Sequence, residues 1–411
     1  MLVAGPTQQG RRVAVTGLGV VGPCGIGVDA FFAGLLSPAP PPGEVDPLRP
    51  GNQSVRRVVG CDAEAIFGPK EIRRVDRFTQ YAAVAAVEAL ADSGDLKADP
   101  ERIGTIVGTG VGGLDSLEEQ IINGHVKGLK RVSPFLVPMM MNNAAAAAIS
   151  MRHGFRGPCQ AVVTACAAGT HSVIDGARLV ASGRCDVVFA GSSEAASAGT
   201  GVAAFANMTA LSKSGRSMPF SAARDGFVMG EGAGILVLEE WDHAVARGAT
   251  IYAEVLGGAS TADAHHITAP APGGAGAIGC MEAALADAGI TAGQVRHVNA
   301  HGTSTPLNDA AEAEAMAKVF GVGPDAPIVT STKGVTGHAL GAAGSIEAVA
   351  AVLSIHRKLI PPTAGTEAID PALPPINLVL GEAREWQPGI VLSNSFGFGG
   401  HNGTVVLAPP S

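Results

Sequence analysis

The chain has 411 residues, 46% of them hydrophobic and 16% charged, which excludes an intrinsically disordered protein and exceeds what one small core needs, so two substantial domains or one duplicated unit are expected. A formal net charge of -8 and an aromatic content of 4% exclude nucleic acid as a partner. With no run of eighteen apolar residues and no signal-type leader, a cytoplasmic protein with no membrane partner is expected.

Along the chain, short apolar strands alternate with alanine-rich helices. "RRVAVTGLGVV" reads as the first strand. Its "GLGVVG", Gly17 to Gly22, has the spacing of a dinucleotide fingerprint, yet Pro23 and further glycines crowd the helix that follows. No second strand ends in Asp or Glu about 20 residues on, so the glycines of a tight turn are the better reading. The Pro-rich "SPAPPPGEVDPLRPGNQS", Ser37 to Ser54, comes too early to separate two domains and reads as a surface excursion. "PKEIRRVDRF" gathers Lys70, Arg73, Arg74 and Arg77, and "HVKGLKRV" gathers Lys127, Lys130 and Arg131. On an acidic protein these basic islands are either solvated helix faces or a docking surface for an acidic partner.

"RFTQYAAVAAVEALADSG" reads as a helix closing at Gly94, and "RIGTIVGTG", "CQAVVTA", "CDVVFAGSS" and "AGILVLEEW" as strands. After about Ala253 the pattern restarts. Strands "YAEVLGGAS", "QVRHVNAHG" and "PIVTSTKG" alternate with helices "GAGAIGCMEAALADAG", "NDAAEAEAMAKVFG" and "GAAGSIEAVAAVLSIHR". This alternation predicts a buried, mostly parallel sheet with helices on its faces, in two similar α/β halves over residues 1–255 and 256–411.

The six cysteines, at 24, 61, 159, 166, 185 and 280, include no C-x-x-C pair and read as free thiols of a reducing compartment. Most such cysteines are inert core residues. Cys166 differs in its context, because the strand "QAVVTA" runs into it and the helix "AAGTHSVIDGARLVASG" leaves it. A thiol at that junction lies near the positive end of a helix dipole and beside free amides, which stabilise a thiolate and can hold an oxyanion. Ala167, Ala168 and Gly169 leave room for an acyl chain, and Cys166 is read as a nucleophile. "VNAHGTSTPLND" places His301 after a strand, and "STKGVTGHALGAAG" places His338 past another, with Lys333 five residues earlier. Open α/β sheets bind ligands at the carboxyl ends of their strands. Neither histidine has a carboxylate or cysteine at ligand spacing, which sets a catalytic metal aside.

The motifs "TACAAGTH", "NAHGTSTPLND", "KGVTGHALGAAGSIEA" and "SNSFGFGGHN", in this order, resemble those of the β-ketoacyl-acyl carrier protein synthases, nearest the elongating type II enzymes, over about Val13 to Val406. The resemblance implies the thiolase fold, an α/β architecture of two duplicated halves in a five-layered α-β-α-β-α core, usually as a homodimer. It implies that Cys166 carries the acyl group, that His301 and His338 stabilise the enolate from malonyl-acyl carrier protein, and that the amides of Cys166 and Phe398 hold the oxyanion. Lys333 and Glu347 are implied as a charged pair that orients the histidines. Thr303 and Thr305 are implied at the pantetheine arm, with Phe396 and Phe398 beside them. Asn299, Glu347, Ser393 and Asn394 match a monovalent cation site of relatives. No cofactor is required, since phosphopantetheine arrives on the carrier protein, for which the basic islands offer a dock. Phe398, set among Gly397, Gly399 and Gly400, is expected to act as a gate.

One departure is Ala168, where the family commonly has serine; a hydroxyl near the site is lost, but no catalytic role. The alternatives separate on residues. A thiolase needs a second cysteine in the loop that here reads "NSFGFGGHN", and initiating type III synthases use a Cys, His and Asn set. A chain-length-factor-like partner would lack the nucleophile, whereas a ketosynthase of a type II polyketide system stays open.

Overall fold

Ten main strands build one continuous mixed sheet whose two halves repeat the same order. In the first half these are β1 (Val13–Gly22), β2 (Ile103–Gly108), β3 (Cys159–Gln160), β4 (Val187–Glu194) and β5 (Gly232–Glu240), side by side as β3-β2-β4-β5-β1. In the second they are β6 (Ala253–Ala262), β7 (Val295–Asn299), β8 (Ile328–Thr330), β9 (Ile390–Gly397) and β10 (His401–Ala408), as β8-β7-β9-β10-β6. In each half the fourth-to-fifth and fifth-to-first pairings are antiparallel and the others parallel. The first strands of the halves meet antiparallel, with Val13 opposite Val255 and Val15 opposite Ala253. This computed structural model describes residues 10–37, 44–45 and 54–411, with the backbone alone at 44–45, so most of the Pro-rich excursion lies outside the described residues.

Six helices complete the layers: α1 (Arg77–Ser93), α2 (Ala144–His153), α3 (Ala168–Ala181), α4 (Ala275–Asp287), α5 (Pro306–Phe320) and α6 (Ala343–Arg357). Helix α1 starts where Asp76 accepts from the Phe78 amide, and its last amide bond runs from Gly94, at φ 74, to Leu90. Helices α1 and α2 cover the outer face of the first half, and α4, with α5 packed on it, covers that of the second. Between the halves lie α3 and α6, each touching strands of both. Every residue of α6 from Ala343 to Ile355 is buried, as its all-round apolar sequence requires. The result is the five-layered α-β-α-β-α core.

Three readings of the sequence change. The glycines of "GLGVVG" make no turn but lie within β1, where helix α1 approaches so closely that a Cβ on Gly19 would stand 1.8 Å from the Ala85 carbonyl oxygen. Gly19→Ala is therefore expected to lower stability by at least about 1–3 kcal/mol, measured by denaturant unfolding. The stretch "CQAVVTA" is a strand only at Cys159–Gln160, because its ladder with β2 stops at Ile106 and the chain then bends toward Cys166. A division at 255/256 falls inside β6, since the link between halves is the helix Trp241–Arg247 and the turn after it.

Candidate active site

Cys166 sits in a 3-10 turn, Ala165–Ala167, that leads into α3. The chain reverses at Ala165, whose φ of 50 is left-handed, and local bonds hold that strained residue. Ala167 donates to the Thr164 carbonyl at 3.1 Å. His171, one turn into α3, donates from Nε2 to the Asn402 carbonyl at 3.0 Å and accepts the Thr164 hydroxyl on Nδ1 at 2.8 Å. Gly397 closes on the same turn, and a Cβ there would lie 3.0 Å from the Cys166 amide nitrogen. The thiol is therefore fixed at the floor of a cavity of about 580 Å³ that also reaches Thr303, Thr305, Phe396 and Phe398.

The second half brings both histidines to this thiol. His338 Nε2 lies 3.1 Å from Cys166 Sγ, and the imidazoles of His301 and His338 meet edge to face, with centroids 5.2 Å apart. Burial, reinforced by the charge of Lys333, lowers both imidazoles well below the ordinary histidine range, so both are neutral at physiological pH. Lys333 Nζ pairs with Glu347 Oε1, donates to the His301 carbonyl at 2.6 Å and lies 3.4 Å from His301 Nδ1. An ammonium only donates, so His301 Nδ1 accepts and its proton resides on Nε2. Among the described residues His338 Nδ1 is buried without a partner, and a bare nitrogen there costs less than an unpaired N–H, which again puts the proton on Nε2. One neutral N–H, that of His338, thus faces the sulfur, and a second neutral imidazole, His301, packs against its ring. Burial pushes the Cys166 thiol up to about 11, opposed by Lys333 and by the Phe398 and Cys166 amides. The resting sulfur is a thiol, and stabilisation by those groups grows only as negative charge develops on it.

Several residues that organise the site have no motif of their own. Glu312, on α5, accepts the His301 and Gly302 amides at 2.8 Å each, and burial pushes it up to about 7. Its signal was its position three residues after Asp309, another fully buried acid on the same helix face. Phe227 sets its edge against His338 at 5.1 Å. Glu194 is a lone acid ending the apolar strand "VVFAGSSE".

The remaining predicted residues divide. Asn299 donates to Ser393 Oγ at 3.2 Å, across the β7–β9 pairing. Asn394 turns instead to Thr404, from which it accepts at 2.8 Å, and to Met281 Sδ at 3.5 Å. Phe398 is half-buried, 6.3 Å from the Phe205 ring, and the next residue, Gly399, donates to the Ile267 carbonyl at 2.7 Å. Lys70, Arg73, Arg74, Lys127, Lys130 and Arg131 are all exposed. Arg74 lies 4.3 Å over the Phe135 ring, which follows the second basic island, so the two islands border one surface. Arg77 is not part of it, because it turns inward to Asp115 and Glu231.

Family models of the β-ketoacyl synthase N-terminal domain and C-terminal domain match residues 10–244 and 252–367. The chain belongs to the β-ketoacyl synthase family. It is 42% identical to 3-oxoacyl-[acyl-carrier-protein] synthase 2 of Vibrio cholerae over 97% of this chain and 99% of the relative. It is also 42% identical to the protein of that name in Synechocystis, over 97% and 98%. Among solved structures, the ishigamide ketosynthase/chain length factor matches with a TM-score of 0.92 and 32% identity over 98% of this chain and 100% of that one. A beta-ketoacyl synthase from Burkholderia phymatum matches at 0.90 and 32% over the same shares. The chain is thus a ketosynthase of the thiolase fold, and among its described residues no helix is long and apolar enough to cross a membrane.

Proposed function

We propose that the chain elongates fatty acyl groups by decarboxylative condensation, with acyl-carrier protein delivering both substrates. The observation that carries this reading is one buried thiol with the neutral His338 imidazole on its sulfur and the neutral His301 imidazole packed beside that ring, all lining one cavity of about 580 Å³. Cys166 sulfur bonds to the acyl carbonyl carbon, the bond to the carrier's sulfur breaks, and the thiol's proton ends on the departing carrier thiol. The backbone amides of Cys166 and Phe398 are the assigned donors to the oxyanion. Malonyl thioester then loses carbon dioxide. The electron pair of the broken bond forms an enolate, whose oxygen accepts from Nε2–H of His301 and of His338. The enolate carbon attacks the acyl carbonyl, the bond to Cys166 breaks, and the sulfur regains a proton from water. No added cofactor is needed, because decarboxylation itself supplies the carbanion.

Lys333 and Glu347 position His301 in this reading, and Thr303 and Thr305 hold the pantetheine arm. A monovalent cation beside Asn299, Glu347 and Ser393 would satisfy Glu347 Oε2, which among the described residues is buried without a partner. The side chain of Asn394, turned to Thr404, takes no part. The decisive experiment incubates the purified chain alone with acyl- and malonyl-carrier protein and reads extended product by mass spectrometry. No extension by the chain alone, but extension after adding a chain-length factor, would instead support the polyketide reading. That second reading is favoured by the structural likeness to ketosynthase/chain length factor assemblies.

If the surface bordered by both basic islands docks the acidic carrier, Lys70→Glu with Arg73→Glu should raise the KM for acyl-carrier protein and leave small thioester mimics unaffected. Equal loss with both substrates would contradict it. If Phe398 gates the thiol, crystals of free and acylated protein should show its ring in two positions. An unchanged ring would make it a wall of the pocket.

A further inference from the structure

Glu194, the last residue of β4, is fully buried, and among the described residues its hydrogen bonds come from neutral donors alone. Oε1 accepts the Thr109 hydroxyl at 3.0 Å and the Val111 amide at 3.3 Å, while Oε2 accepts the Gly110 amide at 2.6 Å and the Gly341 amide at 3.0 Å. Four donors match the four lone-pair sites of a carboxylate, and three are backbone amides, as in an anion-binding nest. They come from two loops: Thr109–Val111, which follows β2, and the turn at Gly341, three residues after His338. The loops touch so closely that a Cβ on Gly341 would lie 2.0 Å from the Gly110 nitrogen.

The turn that carries His338 is held at both ends. On one side His338 donates to the Val228 carbonyl at 2.7 Å and accepts the Gly230 amide at 2.9 Å. On the other, beyond Leu340 at a left-handed φ of 46, stands Glu194. The second nitrogen of the ring has no such hold: a histidine in a working site is commonly oriented through it, and among the described residues His338 Nδ1 has no partner. The ring's direction is set by where its backbone stands and by the rings of Phe227 and His301 packed crosswise against it. We infer that Glu194 is a positioning residue of the condensing site, clamping the turn after His338 onto the loop after β2 so that Nε2 stays aligned on Cys166 and on the enolate. This inference rests on the condensing reading above.

Burial pushes the Glu194 carboxyl up to about 7, so it is charged at the alkaline pH where Cys166 ionises and opposes that ionisation, and the other groups acting on that sulfur are Lys333, His338 and the Phe398 and Cys166 amides. The two effects separate in Glu194→Gln. The shape is kept and the charge removed, and an amide NH₂ now faces donors it cannot accept. Alkylation of Cys166 by iodoacetamide should shift to lower pH, while kcat for condensation falls roughly 10- to 100-fold with KM for the carrier unchanged. A site merely loosened by the change would lose both reactivities together. Thr109→Val keeps the charge and removes one donor, so kcat should fall by a smaller factor without any shift of the alkylation profile to lower pH. The inference is overturned if Glu194→Gln keeps kcat within twofold of the parent, or if kcat falls with alkylation unchanged or slowed. Alkylation needs no acyl substrate, so a parent protein that condenses nothing would refute the condensing reading without touching this arm.

Discussion

Cys166→Gln is expected to abolish condensation while malonyl-carrier protein decarboxylation persists or rises. A glutamine side chain presents a carbonyl where the acylated thiol would present one, but it cannot transfer an acyl group. Decarboxylation depends instead on the N–H groups of His301 and His338, which stand ready without the thiol. Adding His301→Ala or His338→Ala to that background should raise the decarboxylation barrier by about 2 to 4 kcal/mol, the size of one well-placed donor to a developing oxyanion. Carbon dioxide release by each variant is the measurement. A folded Cys166→Gln protein that releases none would show that the sulfur takes part in more than acyl transfer, and histidine variants that still release it would remove the enolate role.

The second large effect concerns stability. Lys333 and Glu347 are each 1% exposed, so Lys333→Ala leaves a carboxylate buried without its counter-charge, at an expected cost of about 3 to 5 kcal/mol. Lys333→Met combined with Glu347→Leu should cost much less, because no buried charge is left unpaired. The loss in Lys333→Ala should also depend on pH. Burial already pushes Glu347 up to about 7 with Lys333 present, and removing the lysine raises it further. A carboxyl raised in the folded state above its unfolded value binds its proton more tightly when folded. Its contribution to stability is therefore full below the unfolded value near 4.5 and is lost as pH rises through the folded one. Urea unfolding of Lys333→Ala should accordingly give a smaller deficit at pH 5 than at pH 8. An equal deficit at both would mean that Glu347 finds another partner.

Much of the fold was legible because buried strands and an all-round apolar central helix leave strong patterns, as in "GAAGSIEAVAAVLSIHR". The thiol and the histidines could be proposed because each stands at a junction between elements, beside small residues. What escaped were groups whose meaning lies in partners far away in sequence. Glu194 bonds residues 85 positions before it and 147 after it, and nothing in "AGSSEAA" announces either. The glycines of β1 misled for a related reason, since a gap left for a neighbouring helix and a turn use the same residue. The short strand at Cys159 was over-read because the apolar "AVV" continues it in sequence, while its bend depends on one left-handed residue, Ala165.

Cys166 comes from the first half, and His301, His338 and Phe398 from the second, with α6 filling the space between the two halves. During synthesis the nucleophile therefore leaves the ribosome well before anything that could use it. Until the last strands dock, the thiol lacks the amide of Phe398 and both imidazoles, and the faces that will hold α6 are bare. The same arrangement that divides the catalytic groups between the halves makes the competent site one of the last features of the molecule to exist, so that an unfinished chain cannot trap an acyl group it has no means to extend.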